Sequence, residues 1–318
     1  MTDNENRKKF IQLLREGVQH KIQQQRVQST FIPPCTRQKH ALQDETSDPQ
    51  AEVRCASLPE RDGSSKLAAA GAGTGIASWQ TLAWRDAYSM EPYFLETVDG
   101  RPLRIKQVLQ GELNGFGTGL TVWPAACVLL KYLEHRAAKD PRALAAGDRP
   151  FVLELGSGTG AVGIAAAMLL RAGRVALTDM DNVRFIMQDN VRLAQEDGGL
   201  DNHVVIDVEA YEWGQRPSKK LIQDGAYPDL ILVSDCILPR LYPIEPLVEA
   251  LALLSRSYTR ILISYEHRHY QCFQPKERFW ELMQERKFSL RVIDTTEYHP
   301  HYVAADIEIW EITPQQTV

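Results

Sequence analysis

Three glycines at alternate positions follow an apolar run and one acidic residue in the segment FVLELGSGTGAVG. The acid is Glu154, and the glycines are Gly156, Gly158 and Gly160. Because glycine lacks a Cβ and tolerates positive φ, such a turn lets a ligand approach the backbone closely. A helical, Ala-rich pattern follows, and the N-terminus of a helix offers unpaired N–H groups. The segment therefore predicts a strand, a turn and a helix that together receive a nucleoside-bearing cofactor with a charged tail.

Two further acidic residues follow apolar runs downstream. Asp179 ends the run RVALTD, and Asp235 comes directly after LILVS. Ligands of open parallel sheets bind outside the carboxyl ends of the strands, so we expect both carboxylates and the glycine turn to share one edge. The histidines show no spacing typical of a metal triad, and the five scattered cysteines form no CxxC pair. No metal site and no disulfide framework is therefore predicted.

Charge and composition limit the classes of partner. The chain has 318 residues and a formal net charge of −5, which disfavours a nucleic-acid partner. No apolar run is long enough to span a membrane, and the segment MTDNENRKKF lacks the apolar core of a secretory signal. We therefore expect a cytoplasmic protein, with a nuclear pool also compatible, that binds neither nucleic acid nor membrane and is a monomer.

The chain divides into three predicted parts. Residues 1–28 carry apolar side chains every three or four positions, which predicts an amphipathic helix. Residues 29–78 are rich in Pro, Ser, Thr, Gln and Gly and predict a disordered linker. Residues 79–318 form the predicted folded domain.

That domain opens with a predicted β-hairpin over residues 92–110, because two apolar-aromatic runs flank the turn pair Asp99-Gly100. Alternating strands and helices then predict a parallel sheet with helices on both faces. The expected strands lie at about 150–155, 174–178, 203–208, 230–233, 260–264, 288–294 and 304–312, and the expected helices at about 124–135, 160–171, 181–196, 244–256 and 275–286. The last two strands have no helix between them, which predicts a reversed final strand.

Two cofactors fit the glycine turn. A dinucleotide fold also has a glycine turn followed by an acid about 20 residues later, and Asp179 together with Gly156, Gly158 and Ala161 satisfies that pattern. Three features favour S-adenosylmethionine instead. Glu154 is charged where a dinucleotide strand is normally apolar, Gly160 completes a GxGxG core, and the chain closes with two consecutive strands.

Six segments between residues 103 and 312 are distinctive: LTVWPAACVLLKYLE, VLELGSGTGAVGIAA, ALTDMDNVRFIMQDNV, YEWG, LILVSDCIL and LISYEHR. Through these segments the sequence resembles the seven-β-strand protein-lysine methyltransferases of the methyltransferase-like 21 group. Within that group, SDCI followed by YEHR is most similar to the branch that methylates valosin-containing protein. The resemblance implies an α/β class I S-adenosylmethionine-dependent methyltransferase, Rossmann-like, with a seven-stranded sheet and an N-terminal hairpin.

The resemblance also implies roles for individual residues. Gly156, Ser157 and Gly158 would pass beside the methionine part of the cofactor, and Asp179 would accept hydrogen bonds from the ribose hydroxyls. Asp235 would be the catalytic residue beside the transferred methyl, where it orients the acceptor amine. The remaining implied cofactor contacts are Trp123, Trp213 at the adenine, and Ser234.

The sequence departs from the family pattern three residues after Asp235, where Leu238 replaces a tyrosine. Tyr242 and Tyr265 are the residues that could replace its ring. The expected reaction is methylation of a lysine on a non-histone protein. The alternatives are an interaction module or inactive methyltransferase that binds a chaperone or ATPase, and an arginine or small-molecule methyltransferase.

Overall fold

A computed structural model describes residues 91–109, 118–140, 142–144, 147–222, 225–239, 243–270 and 273–315. The predicted N-terminal helix, the predicted linker, the start of the predicted domain at Trp79, and Tyr242 lie outside the described residues. The elements are β1 Tyr93–Val98, β2 Arg101–Lys106, α1 Pro124–Lys139, β3 Phe151–Leu155, α2 Ala161–Leu169, β4 Gly173–Asp179, α3 Arg184–Glu196, β5 Val204–Ala210, β6 Leu230–Ser234, α4 Ile244–Leu254, β7 Arg260–Glu266, α5 Pro275–Glu285, β8 Phe288–Val292 and β9 Ile307–Pro314.

The predicted hairpin is confirmed. β1 and β2 pair antiparallel from Tyr93↔Lys106 to Val98↔Arg101. Asp99 and Gly100 have φ values of 49° and 72°, as a two-residue hairpin turn with positive φ at both central positions requires. Alternate side chains of the hairpin are buried, so one face packs against the rest of the domain.

The main sheet has seven strands in the order β5-β4-β3-β6-β7-β9-β8. The pairs from β5 to β7 are parallel, whereas β9 pairs antiparallel with both β7 and β8. The final strand is therefore inserted in the reverse direction, as the two closing strands without an α-helix between them predicted; only the 3-10 turn Thr295–Glu297 separates them. This order and the hairpin confirm the predicted fold class.

The central strands are buried on both faces, which is typical of parallel sheets covered by helices. In β6, Leu232 packs into the layer that contains α1 and α2, while Ile231 and Val233 pack into the layer that contains α4. These two apolar layers hold the strand ends in register. The residues predicted to do chemistry follow those ends.

Some element bounds differ from the predictions. α3 begins at Arg184 instead of residue 181, because Met180 to Val183 form a turn in which the Val183 N–H donates to the Met180 carbonyl at 3.0 Å. α1 continues to Lys139, a turn beyond the prediction. Within the described part of the chain, the helices are all too short or too polar to cross a membrane.

Candidate active site

The glycine turn after β3 is fixed by its own packing. Gly156 and Gly158 have φ values of 65° and 54°, a region that residues with a Cβ adopt at a cost. A Cβ on Gly158 would lie 2.6 Å from the carbonyl oxygen of Gly119, and one on Gly156 would lie 2.5 Å from the Cys236 sulfur. The turn therefore needs glycine at both positions for steric as well as conformational reasons.

Ser157 joins this turn to β4. Its backbone N–H donates to the Thr178 carbonyl at 2.9 Å, and its Oγ accepts from the Thr178 N–H at 2.9 Å. The side chain is buried, and its hydroxyl also donates to the Glu154 carbonyl at 3.2 Å. Ser157 thus lies in the predicted turn, but its side chain holds the turn in place.

Asp179 lies beside the glycine turn, as the carboxyl-edge argument predicted. Its Oδ2 accepts from the Gly158 N–H at 2.8 Å, and its Oδ1 accepts from the Met180 N–H at 2.7 Å. The residue is partly exposed, and the following Met180 is 44 % exposed. A carboxylate is therefore held at the sheet edge, where the N–H groups of Gly158 in the glycine turn and of the following Met180 orient it.

Glu154 is a buried structural acid. It is 1 % exposed, and its Oε2 accepts from the Gly163 N–H in α2 at 2.9 Å. Burial raises the pKa of Glu154 to about 8 despite this hydrogen bond, so the protonated, neutral form predominates near pH 7. Glu154 thus connects β3 to the first turn of α2 through Gly163 and does not present a charge to a ligand.

Trp213 and Cys236 pack beneath the turn. A Cβ on Gly156 would lie 3.0 Å from the Trp213 ring, so the structure places this partly buried tryptophan beside the predicted cofactor turn. The Cys236 sulfur contacts the Gly156 carbonyl at 3.8 Å and the Ser234 carbonyl at 3.3 Å. The end of β6 and the glycine turn are thereby brought together.

Asp235 follows Ser234, the partly exposed last residue of β6, in a left-handed backbone conformation with φ of 54°. Its N–H donates to the Ser264 carbonyl of β7 at 2.9 Å. The residue is 5 % exposed. Arg268 donates to both carboxylate oxygens, at 2.7 Å to Oδ1 and 2.5 Å to Oδ2. The predicted catalytic carboxylate is therefore buried and ion-paired.

Arg268 is the residue that sequence reasoning missed. Its guanidinium also donates to the Glu266 carbonyl and carboxylate, both at 3.2 Å, and lies 5.8 Å from the centre of the Trp123 ring. Burial by itself lowers the pKa of Arg268, but the hydrogen bonds and charge of Asp235 and the charge of Glu266 outweigh burial and raise it. The arginine belongs to the segment YEHR, which was the available signal.

Trp123 precedes the first residue of α1 and lies on the Arg268 side of this cluster. Its indole N–H donates to the Thr118 carbonyl at 2.8 Å. The ring is partly buried. The structure therefore places Trp123 next to the Asp235–Arg268 pair.

Of the two tyrosines that could replace the family tyrosine, Tyr242 lies outside the described residues and Tyr265 lies in the core. Leu238 is buried at 7 % exposure. Tyr265 is 2 % exposed and packs on Trp310, with 4.8 Å between ring centres, and edge-on to His267 at 5.0 Å. Tyr265 therefore belongs to the apolar core and does not present its ring to an acceptor. No group of three or more potential metal ligands occurs in the part of the chain that the structure describes.

Comparison with known proteins shows which family and which relatives the chain is similar to. Residues 98–286 match the family described as lysine methyltransferase. Over 182 residues the chain is 32 % identical to protein N-lysine methyltransferase METTL21A of Xenopus tropicalis, covering 57 % of this chain and 72 % of that protein. EEF1A lysine methyltransferase 3 of the same organism is 31 % identical over 184 residues, covering 58 % and 71 % of the two chains. Among solved structures, magnesium protoporphyrin IX methyltransferase from Synechocystis aligns with a TM-score of 0.40 at 16 % identity, covering 60 % and 84 %.

Proposed function

The chain belongs to the lysine methyltransferase family, and we propose that Asp179 and the glycine turn hold its methyl donor while Asp235 orients the acceptor lysine. The activity of the family is transfer of a methyl group from S-adenosylmethionine to a lysine of a protein. The observation that carries the assignment of the donor site is the hydrogen bond from the Gly158 N–H to the Asp179 carboxylate.

The donor site fits the chemistry of the cofactor. Each carboxylate oxygen of Asp179 can accept more than one hydrogen bond, so a partly exposed carboxylate at the strand end suits two adjacent ribose hydroxyls. The turn has glycine at positions 156 and 158, where the Cys236 sulfur and the Gly119 carbonyl leave no room for a Cβ, and Trp213 supplies an apolar ring beside Gly156. When bound, the donor supplies an electrophilic methyl group on a sulfonium, which the lone pair of the lysine nitrogen attacks while the C–S bonding electrons return to sulfur.

The contribution of the protein is alignment and removal of water. A free lysine has a pKa of about 10.4, so the acceptor must lose its proton before it can attack. An apolar slot lowers the pKa of a lysine by desolvation, and a fixed acceptor geometry supplies much of the rate by orientation. Asp235 lies at the carboxyl end of β6 and is held by Arg268, so it orients an amine and does not act as a strong base.

The acceptor is proposed to be a lysine of a non-histone protein. EEF1A lysine methyltransferase 3 has a protein named as its target, which supports an acceptor of this class. The segments SDCI and YEHR support a finer placement near the branch that methylates valosin-containing protein. We further propose a monomer that acts in the cytoplasm, with a nuclear pool compatible, and that binds neither nucleic acid nor membrane.

Calorimetry with S-adenosylmethionine tests the donor site. Asp179→Ala removes a charged hydrogen-bond acceptor, which is worth about 1.5–3 kcal/mol, so we expect affinity to fall roughly tenfold to a hundredfold. Asp181→Ala is the matched control, because that side chain lies two residues away at 74 % exposure and should leave affinity unchanged. Absence of binding by the unaltered protein would overturn the donor assignment and favour an interaction module.

Transfer of tritiated methyl groups to cell-lysate proteins tests the acceptor side. Asp235→Ala should abolish labelling while S-adenosylmethionine still binds, because the carboxylate acts on the amine and not on the donor. Asp235→Asn keeps the side-chain volume and tolerates positive φ, so it separates loss of charge from loss of structure and should also be inactive. Label confined to small molecules would contradict a protein acceptor, and unchanged turnover would remove Asp235 from the mechanism.

A further inference from the structure

The Asp235–Arg268 pair brings a fixed positive charge to the place where the acceptor amine is expected. Both carboxylate oxygens of Asp235 accept from the guanidinium, and the Asp235 side chain is 2 % exposed while that of Arg268 is 26 % exposed. The arginine is therefore the more accessible member of the pair.

The other side chains around the pair are acidic, phenolic or apolar. Glu266 contacts Arg268 from the end of β7, and Tyr270 and Tyr265 interact with it electrostatically. Cys236 follows Asp235 and interacts electrostatically with Asp179 and Glu154 of the neighbouring strands. The uncharged ring of Trp123, which precedes α1, lies 5.8 Å from the guanidinium. Among these described neighbours, the positive charge at the site comes from Arg268.

The charge of the acceptor decides whether transfer can occur. A lysine has a nucleophilic lone pair only as the neutral amine. A carboxylate without a counter-charge beside the amine would favour the ammonium form, because an opposite charge within about 4–6 Å stabilises the ionised state. A carboxylate paired with a guanidinium exerts less of that pull, although Glu266 shares Arg268 with Asp235. In Asp235, Oδ1 already accepts from both Arg268 and the Glu266 N–H, at 2.7 and 3.5 Å, whereas Oδ2, which accepts from Arg268, can accept a second hydrogen bond from an amine N–H.

We propose that Arg268 is a positioning residue that neutralises Asp235, so that the site receives the acceptor lysine as the neutral amine. The inference rests on the proposed role of Asp235 beside the acceptor. An arginine suits this role because it stays charged at all working pH values and binds a carboxylate through two parallel N–H groups. Its contacts with Glu266 and the Trp123 ring hold the guanidinium in position from the other sides.

The pH dependence of methyl transfer tests this charge-balancing role. Turnover is measured with the labelled protein from the lysate assay for the unaltered enzyme, Arg268→Gln and Arg268→Lys. In Arg268→Gln the unbalanced carboxylate should move the limb where the rate rises with pH upward by about one unit or more, so turnover near neutral pH falls about tenfold or more. Arg268→Lys keeps the charge, so its limb should stay near that of the unaltered enzyme even if turnover drops.

A second measurement needs no acceptor and therefore separates this inference from the proposed function. Titration of carbon-13-labelled aspartate carboxyls by NMR should show that Asp235 protonates at higher pH in Arg268→Gln than in Arg268→Lys. Arg268→Met, which keeps apolar length over Trp123, replaces the glutamine variant if that one does not fold.

Identical pH limbs in the glutamine and lysine variants would overturn the proposal. So would a neutral variant with faster turnover at neutral pH, because Arg268 would then compete with the acceptor. Absence of transfer by the unaltered enzyme would instead count against the proposed function.

Discussion

At the scale of single residues, Gly158 carries the tightest backbone constraint of the donor turn. It combines a φ of +54° with a neighbouring carbonyl only 2.6 Å from where a Cβ would lie. Gly100, in the hairpin turn, has a φ of +72° and no atom within 4 Å of its Cβ position. The two positions therefore share the conformational cost of a side chain and differ in the steric cost.

We predict that Gly158→Ala weakens S-adenosylmethionine binding about tenfold or more, because the backbone of Gly119 or of the turn itself must move. The comparison variant is Gly100→Ala. Both substitutions should lower the free energy of unfolding by about 1–2 kcal/mol, because alanine is strained at positive φ. Gly158→Ala should lower it by about 1–3 kcal/mol more through overpacking. Urea unfolding and calorimetry on both variants measure the two effects. Equal stability loss and unchanged affinity in both would show that contact with Gly119 does not shape the donor turn.

The sequence predicted the position of a site residue correctly where chain order determines it. Asp179 could be placed beside Gly158 because adjacent parallel strands end at one edge. Arg268 could not be assigned to Asp235, since 33 residues separate them and a sequence does not specify which nearby cation turns toward a buried acid. The role of Glu154 also required the structure, because only packing shows that Gly163 meets its carboxyl oxygen.

At the scale of elements, the hairpin is connected to the donor turn through one buried side chain. Asn190 of α3 is 0 % exposed, and its Oδ1 accepts from the Lys106 N–H at 2.7 Å. Its amide nitrogen donates to the Lys106 carbonyl at 3.1 Å and to the Thr159 carbonyl of the glycine turn at 2.9 Å. β2, α3 and the turn are thus joined by three hydrogen bonds from a single amide.

Asn190→Ala should therefore lower both stability and donor affinity. The substitution leaves one N–H and two carbonyls without this partner, which we expect to cost about 2–4 kcal/mol. Asp189→Ala is the matched control, because it removes two partly exposed ion pairs from the same helix, with Lys106 and with Arg192, each worth about 0–1 kcal/mol. Chemical unfolding followed by calorimetry distinguishes them. If Asn190→Ala bound the donor as tightly as the control, the hairpin and the turn would not be coupled through this amide.

Element types were predictable, whereas some of their ends and links were not. The Asp99-Gly100 pair and the alternating strands and helices predicted the hairpin and the sheet because turn chemistry and periodicity are local properties. The start of α3 was predicted too early because the turn at Met180 to Val183 depends on its own hydrogen bonds. The link through Asn190 depends on how α3 packs against two other segments, and residue type alone does not reveal it.

At the scale of the whole molecule, the reversed β9 completes a sheet whose two faces are covered, so the central strands lie in an apolar interior. Glu154 is the acid that this arrangement encloses in β3, with neighbours in β4 and β6. Its Oε1 is buried without a hydrogen-bond partner in the described structure. Ionisation of this buried carboxyl would carry a large desolvation cost. The free energy of unfolding should therefore depend on whether Glu154 is protonated.

The sign of that response follows from proton binding. The folded protein raises the pKa of Glu154 to about 8, because burial penalises its charge, whereas an unfolded glutamate titrates at about 4.3. Between those values the folded state binds more protons than the unfolded state, so this group makes stability fall as pH rises, by up to about 1.4 kcal/mol per pH unit.

Glu154→Gln mimics the neutral acid and still accepts from the Gly163 N–H. The free energy of unfolding of the variant, minus that of the unaltered protein, should therefore grow steadily from about pH 5 to about pH 8 and level off above it. Urea unfolding across this range measures the difference and cancels the other titrating groups. A difference that is constant with pH would mean that Glu154 is ionised inside the folded sheet.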